Sequence, residues 1–169
     1  SFRPDVSAIL NITPDHLDRH HTMENYIKAK ANIFRNQTKE DVCILNYEDP
    51  ILRKLGERIR PRVIWFSSVR TLPDGVYLNG DMITYRHGSE TAELVNISEL
   101  AIIGRHNYEN AMAAAAAGIA LGVPVERIRK ALREFQAVEH RIEYVATIDG
   151  VKYYNDSKGT NPDASIQAV

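Results

Sequence analysis

The chain of 169 residues reads as an α/β protein, with a mostly parallel sheet, flanking helices and an added antiparallel hairpin. Three observations predict this. Apolar runs at 6–12, 42–46 and 63–67 have strand length and are bounded by turn or helix signals. Helical stretches separate them, the alternation that sets parallel strands side by side through helical crossovers. After Pro73 the texture changes to two facing runs, 76–78 and 82–85, joined through Asn79-Gly80. That dipeptide supplies the two positive-φ residues a type I′ hairpin turn needs.

Each element has a local reason. Past the first strand, Thr13 can cap a helix, Pro14 suits its first position, and Asp15 favours the positive end of its dipole. Thr22 caps a second helix over 23–35, with Glu24 in its first turn. A further edge strand is expected at 94–97. The helix expected over 107–121 is alanine-rich, so its backbone can lie close to a sheet, and Gly122 stops it. Pro124 opens the helix expected over 124–135, with Ile128, Leu132 and Phe135 as its apolar stripe. Around 138–141 the pattern resets, and 142–148, Asp149-Gly150 and 151–155 form another hairpin. This places one domain at 1–138 and the start of a second at 139–169. Ser1 opens almost directly into a strand, and 162–169 resembles a helix barely begun, so both ends read as cuts through a longer protein.

Composition narrows the function classes. With 44% hydrophobic and 25% charged residues the chain is ordinary for a globular domain. A net charge of −1 leaves no basic surface for nucleic acid or anionic membrane. The longest apolar stretch, around 111–121, is far shorter than the ~20 residues that span a bilayer. The single cysteine, Cys43, sits in an apolar run and reads as a small core residue, which suits the cytoplasm.

Chemistry concentrates at 11–35. His16 falls after a strand end, where open α/β sheets hold ligands. With His20 and His21 it could equally form a solvated turn, and a zinc site on His16 and His20 lacks a separate ligand cluster. On the next helix Met23, Tyr26, Ile27, Ile33 and Phe34 share one face, with Lys30 in the middle of that stripe. A buried ammonium must be paired, neutralised or chemically changed; otherwise Lys30 lays its stem along the apolar surface and keeps its charge in water.

Four blocks in order carry a resemblance. Asp15-His16-Leu17-Asp18-Arg19-His20, with Met23-Glu24-Asn25-Tyr26 and Lys28-Ala29-Lys30, resembles the Mur ligases, ATP-dependent enzymes that extend the muramoyl peptide by amide bonds. Gly104-Arg105-His106-Asn107-Tyr108-Glu109-Asn110-Ala111 resembles their second block, and Glu139-His140-Arg141 their third, at the hinge between central and C-terminal domains. Tyr154-Asn155-Asp156-Ser157-Lys158-Gly159-Thr160-Asn161-Pro162 resembles the branch that adds D-glutamate, although alanine is more usual where Gly159 stands. The resemblance implies part of a Mur-ligase central domain, then the first hairpin and helix of a Rossmann-like C-terminal domain.

By the same resemblance, His16 is a magnesium ligand and Lys30 a lysine carbamylated by carbon dioxide, an oxygen donor of the kind magnesium prefers. Asn110 resembles an adenine-contacting asparagine, with Asn107 close by. Arg141 and Asp156 resemble nucleotide-touching hinge residues, and Lys158 and Thr160 lie in a loop facing the active site. Alternatively Asn107 is only a helix cap, Asp156 a turn residue and Lys158 solvated. The implied cofactors are ATP and Mg2+, and the implied substrates are UDP-N-acetylmuramoyl-L-alanine and D-glutamate, joined through an acyl phosphate by a cytoplasmic enzyme, monomeric at full length. No G-x-x-x-x-G-K-[ST] phosphate loop occurs, so this chain alone should be inactive. The rival readings are another Mur-type or folylpolyglutamate-type ligase, or a non-catalytic nucleotide-binding module.

Overall fold

A computed structural model describes residues 2–14, 17–136 and 143–157. In chain order the elements are β1 (Val6–Ile9), α1 (Leu17–His20), α2 (Met23–Ala31), β2 (Val42–Asn46), α3 (Pro50–Gly56) and β3 (Arg62–Ser67). There follow β4 (Gly75–Asn79), β5 (Met82–His87), β6 (Glu90–Asn96), α4 (Arg105–Ala120), α5 (Val125–Glu134), β7 (Glu143–Ile148) and β8 (Val151–Asn155). Strands β1 to β6 form one sheet in sequence order, and β7 pairs with β8 alone. Pairing is parallel from β1 through β4 and antiparallel from β4 to β6. The mostly parallel sheet with an antiparallel addition is the architecture the sequence predicts.

Strand β2 divides the core. Its five residues are all buried, and alternate side chains point to opposite faces. Val42 and Ile44 join Ile64, Phe66 and Met112 beneath α4 and α5, whereas Cys43 and Leu45 join Tyr26, Phe34 and Leu52 beneath α2 and α3. Ile44 and Leu45 are fully buried, each contributing about 1.5–3 kcal/mol of transfer free energy. The β3–β4 link needs only residues 68–74 and no helix. Just two pairs, Phe66 with Val76 and Ser67 with Tyr77, overlap, so the chain barely has to double back. Gly75 makes the entry to β4 possible, at φ +122, with a virtual Cβ 2.2 Å from the Trp65 carbonyl oxygen.

Several expectations need correction. The first strand ends at Ile9 rather than 12, because the chain leaves the sheet to donate the Ile12 N–H to Asp49 Oδ2 at 2.7 Å. Asp49 also caps α3, accepting from Ile51 and Leu52. Thr13 and Pro14 do not begin a helix; α1 starts at Leu17, and Asp15 and His16 lie outside the described residues. Thr22 does cap α2, but the helix tightens into a 3-10 turn at Asn32–Phe34. The first hairpin turns on Gly80-Asp81, with positive φ at Gly80 only, the pattern of a type II′ turn. The double positive φ of a type I′ turn falls instead on Asp149-Gly150. A second hairpin through Gly88-Ser89 makes β6 longer than the expected edge strand. Gly122 stops α4 as expected, within a Schellman motif in which Val123 N–H reaches Gly118 O and Gly122 N–H reaches Ile119 O. Phe135 leaves its stripe and is half exposed.

A polar clasp holds the start of the chain. Arg3 makes two 2.9 Å bonds to Asp41, whose carboxylate also accepts from the Thr38 N–H. Behind it the buried Gln37 accepts from Ser7 Oγ and donates to the carbonyls of Pro4 and Val42. The Arg3 hydrogen bonds, then that of the Thr38 amide, hold the Asp41 carboxyl at about 2, below its ordinary 3.8.

Two tests follow from this geometry. Gly75→Ala should lower stability by about 2–4 kcal/mol, because backbone must shift and φ is strained; a lowered urea midpoint checks it. A depressed folded pKa stabilises above the unfolded value and is lost as pH falls through the folded one. The thermal midpoint of Asp41→Asn should therefore lie below wild type at neutral pH, with the gap closing from about 3.8 down to about 2.

Candidate functional site

A cleft of about 840 Å³ lies between α4, α5, residues 100–103 and the β7–β8 hairpin. Small side chains create it. Helix α4 turns Ala111, Ala114, Ala115 and Gly118 toward the space, at the i, i+3, i+4, i+7 spacing of one helical face. Ile128 and Leu132 of α5 form the opposite apolar wall. Tyr144 and Tyr154, register partners on the hairpin, meet edge-on at 5.8 Å between ring centroids and also line the cleft.

Few polar groups enter. Asn107 is buried, and its Nδ2 donates to the Ile103 carbonyl at 2.7 Å. That bond fixes the amide orientation and leaves its oxygen as an acceptor with no partner among the described residues. Asn110, one turn on, is exposed at the same wall. Arg127 and Glu143 complete the polar lining. At the start of α4, Gly104 takes φ +96, and Nδ1 of His106 is buried without a hydrogen-bond partner among the described residues.

A second polar group lies across α4, at the carboxyl ends of β2 and β3. Ser68 Oγ donates to Glu109 Oε1 at 2.5 Å, Arg105 Nε reaches Ser68 Oγ at 2.8 Å, and Asn46 Nδ2 approaches Glu109 Oε2 at 3.4 Å. Asn46 Oδ1 in turn accepts from the Glu48 N–H. Glu48 binds Arg70 through both carboxylate oxygens and accepts from Ser67. Burial raises the Glu48 pKa, but the hydrogen bonds from Arg70 and Ser67 outweigh it and leave the group below the ordinary carboxylate range.

The structure brings Asn107 and Asn110 together and sets Lys30 apart. Lys30 is exposed, its Nζ 5.4 Å from the Tyr26 ring centroid, on a helix that packs against the opposite sheet face. The expectation of a lysine on a buried stripe is thus corrected: the Tyr26 ring, one turn earlier, fills the inward space, and Ile33 is itself 37% exposed. Asp156 follows β8, half-buried, and does not line the cleft. His16, Arg141, Lys158 and Thr160 lie outside the described residues. No cluster of three or more His, Cys, Asp or Glu that could hold a metal occurs among the described residues. Sequence reasoning passed over Tyr144, and it gave Tyr154 and Glu109 no role although both stand inside family blocks.

The Mur ligase middle domain pattern matches residues 1–118. The chain belongs to the Mur ligase family. Similar proteins include a UDP-N-acetylmuramoylalanine–D-glutamate ligase of Lachnoclostridium phytofermentans, 63% identical over 100% of this chain and 37% of that protein. One from Lachnospira eligens is 52% identical over 99% of the chain and 37% of its own length. The chain thus spans about 37% of the length of these curated relatives. Among solved structures, Acinetobacter baumannii MurF superposes with a TM-score of 0.76 at 25% identity, over 98% of this chain and 36% of its own. A Thermotoga maritima MurF ligase in complex with ADP gives 0.70 at 20% identity, over 98% and 38%, a likeness of fold. Among the described residues no helix of this family member is long and apolar enough to cross a membrane.

Proposed function

We propose that the chain is part of an ATP-dependent ligase that joins D-glutamate to UDP-N-acetylmuramoyl-L-alanine in the cytoplasm, and that its cleft receives the adenine ring. The carrying observation is 63% identity along the whole chain to a ligase of that name. A domain division near 138 belongs to the same proposal, and the separate sheet of β7 and β8 supports it.

The described residues suit a purine. Apolar walls replace water on the ring faces, the paired tyrosines offer an edge for stacking, and the Asn107 oxygen accepts from an exocyclic amine. Bound ATP supplies the phosphoryl group that turns the muramoyl carboxylate into an acyl phosphate, which the D-glutamate amine attacks with loss of phosphate. The chain's own share is positioning of the base. Arg141 and Asp156 are proposed beside the nucleotide, and Lys158 and Thr160 in the loop facing the reaction, all four by their place in the family blocks. For magnesium, the described residues assemble no site. The assignment of His16 as its ligand and Lys30 as a carbamate rests on the family block, and on an exposed Lys30 amine that carbon dioxide can reach.

Two measurements test these assignments. In the whole protein, an assay with UDP-N-acetylmuramoyl-L-alanine and a panel of amino acids should show D-glutamate incorporated ahead of L-alanine or L-lysine; preference for either of those moves the protein to another branch. Lys30→Arg keeps the positive charge but cannot take up carbon dioxide, so it should lose most turnover and, with isotope-labelled bicarbonate, the carbamate signal. Near-normal turnover makes Lys30 a surface residue.

A further inference from the structure

Helix α4 carries both asparagines of the cleft, yet little in its own sequence fixes where it sits along its axis. Its buried apolar face is mostly alanine (Ala111, Ala113, Ala115 and Ala116), with Met112 as the one large apolar side chain fully enclosed and Tyr108 and Ile119 packed only partly buried against the core. A row of methyl groups resists a small slide less than interlocking large side chains do, and few knobs enter matching holes here. The helix start is no better held: Gly104 stands at the cap position, no side chain caps the first turn, and that turn holds no acidic residue. Unsatisfied N–H groups of that kind favour fraying.

The missing restraint comes from Glu109. It lies about 200° around the helix from Asn107 at 100° per residue, on the side away from the cleft. Its carboxylate takes the Ser68 hydroxyl at 2.5 Å and approaches the Asn46 amide at 3.4 Å, at the carboxyl ends of two adjacent strands. Arg105 closes the group, its Nε 2.8 Å from Ser68 Oγ and 3.3 Å from Glu109 Oε1. The Glu109 side chain is 22% exposed, so losing these partners would strand a partly desolvated charge.

We propose that Glu109, through Ser68 and Asn46, is a positioning residue that sets the axial place of Asn107 and Asn110 at the cleft, and so the fit of the nucleotide base. The inference rests on the cleft being the adenine site. Glu109 touches no substrate. It acts by locking α4 to the sheet edge, as a pin fixes a sliding bolt.

The test is steady-state kinetics of the whole ligase with Glu109→Ala, Ser68→Ala, the double variant, Glu109→Gln and Asn110→Ala, beside their melting temperatures. Glu109→Ala and Ser68→Ala should each raise the KM for ATP about tenfold, as loss of one charged hydrogen bond allows. Turnover and the KM values for the other two substrates should stay within about twofold. The double variant should be no worse than Glu109→Ala alone, since that change already removes the Ser68 link. Glu109→Gln, whose carbonyl oxygen still accepts from Ser68, should restore most of the affinity. A lowered melting temperature with an unchanged KM for ATP overturns the proposal, as does an equal rise in all three KM values. Should Glu109→Ala fail to fold, Ser68→Ala, which leaves α4 untouched, decides the question by the same two outcomes. Asn110→Ala separates the two claims. If it raises the KM for ATP while the Glu109 and Ser68 variants do not, the pin is wrong and the site stands; if it has no effect, both fall.

Discussion

The structure depends on one strand being buried on both sides. All five residues of β2 are withdrawn from water, and its backbone groups are taken up by β1 and β3 in parallel register. A strand so placed cannot alternate apolar and polar residues, and Val42 to Leu45 do not. Successive side chains from Val42 to Leu45 feed two separate cores, so both helix layers are bound to the same strand. Where β2 ends, Asn46 and Glu48 are free to be polar, and the hydrogen-bond network begins there.

The two faces then differ in purpose. Beneath α2 and α3 the packing is by large side chains, Tyr26, Phe34, Leu52 and Trp65. On the other face the sheet supplies the large side chains and α4 supplies mostly alanine, and the volume that α4 lacks toward α5 becomes the cleft. A helix surface smooth enough to leave room for a ligand also offers fewer large side chains to hold it in register. The polar contacts of Arg105 and Glu109 near the start of α4 accompany that alanine run.

Strand identity was legible because burial and β propensity agree: 42–46 is a strand at the bounds its residues suggest. The helix caps Thr22 and Asp49 are local, and Thr22 could be read from the chain. Boundaries set by distant partners could not. Nothing near Ile12 announces that Asp49 will take its N–H. The position of Lys30 failed for a related reason, since helical spacing gives an angle about the axis but not how deep the helix sits, and the Tyr26 ring decides that. Asn107 and Asn110 were found through a family block; the tyrosines and Glu109 were not assigned roles because the contacts among 46, 68 and 109, and the place of 144 in the cleft, are properties of the folded chain alone.

One buried atom also reports on the whole. Cys43 lies at the centre of β2, fully enclosed, with its thiol pushed up to about 11 by burial against a weak opposing bond from Ser7. Thiolate is the reactive form, and at neutral pH almost none exists while β2 is covered. Neither oxidants nor alkylating reagents can reach it without parting the two layers. The chain therefore carries a chemical reporter of its own opening: with reagent in excess enough to outpace reclosing, the rate of Cys43 modification is the rate at which the sheet is laid bare.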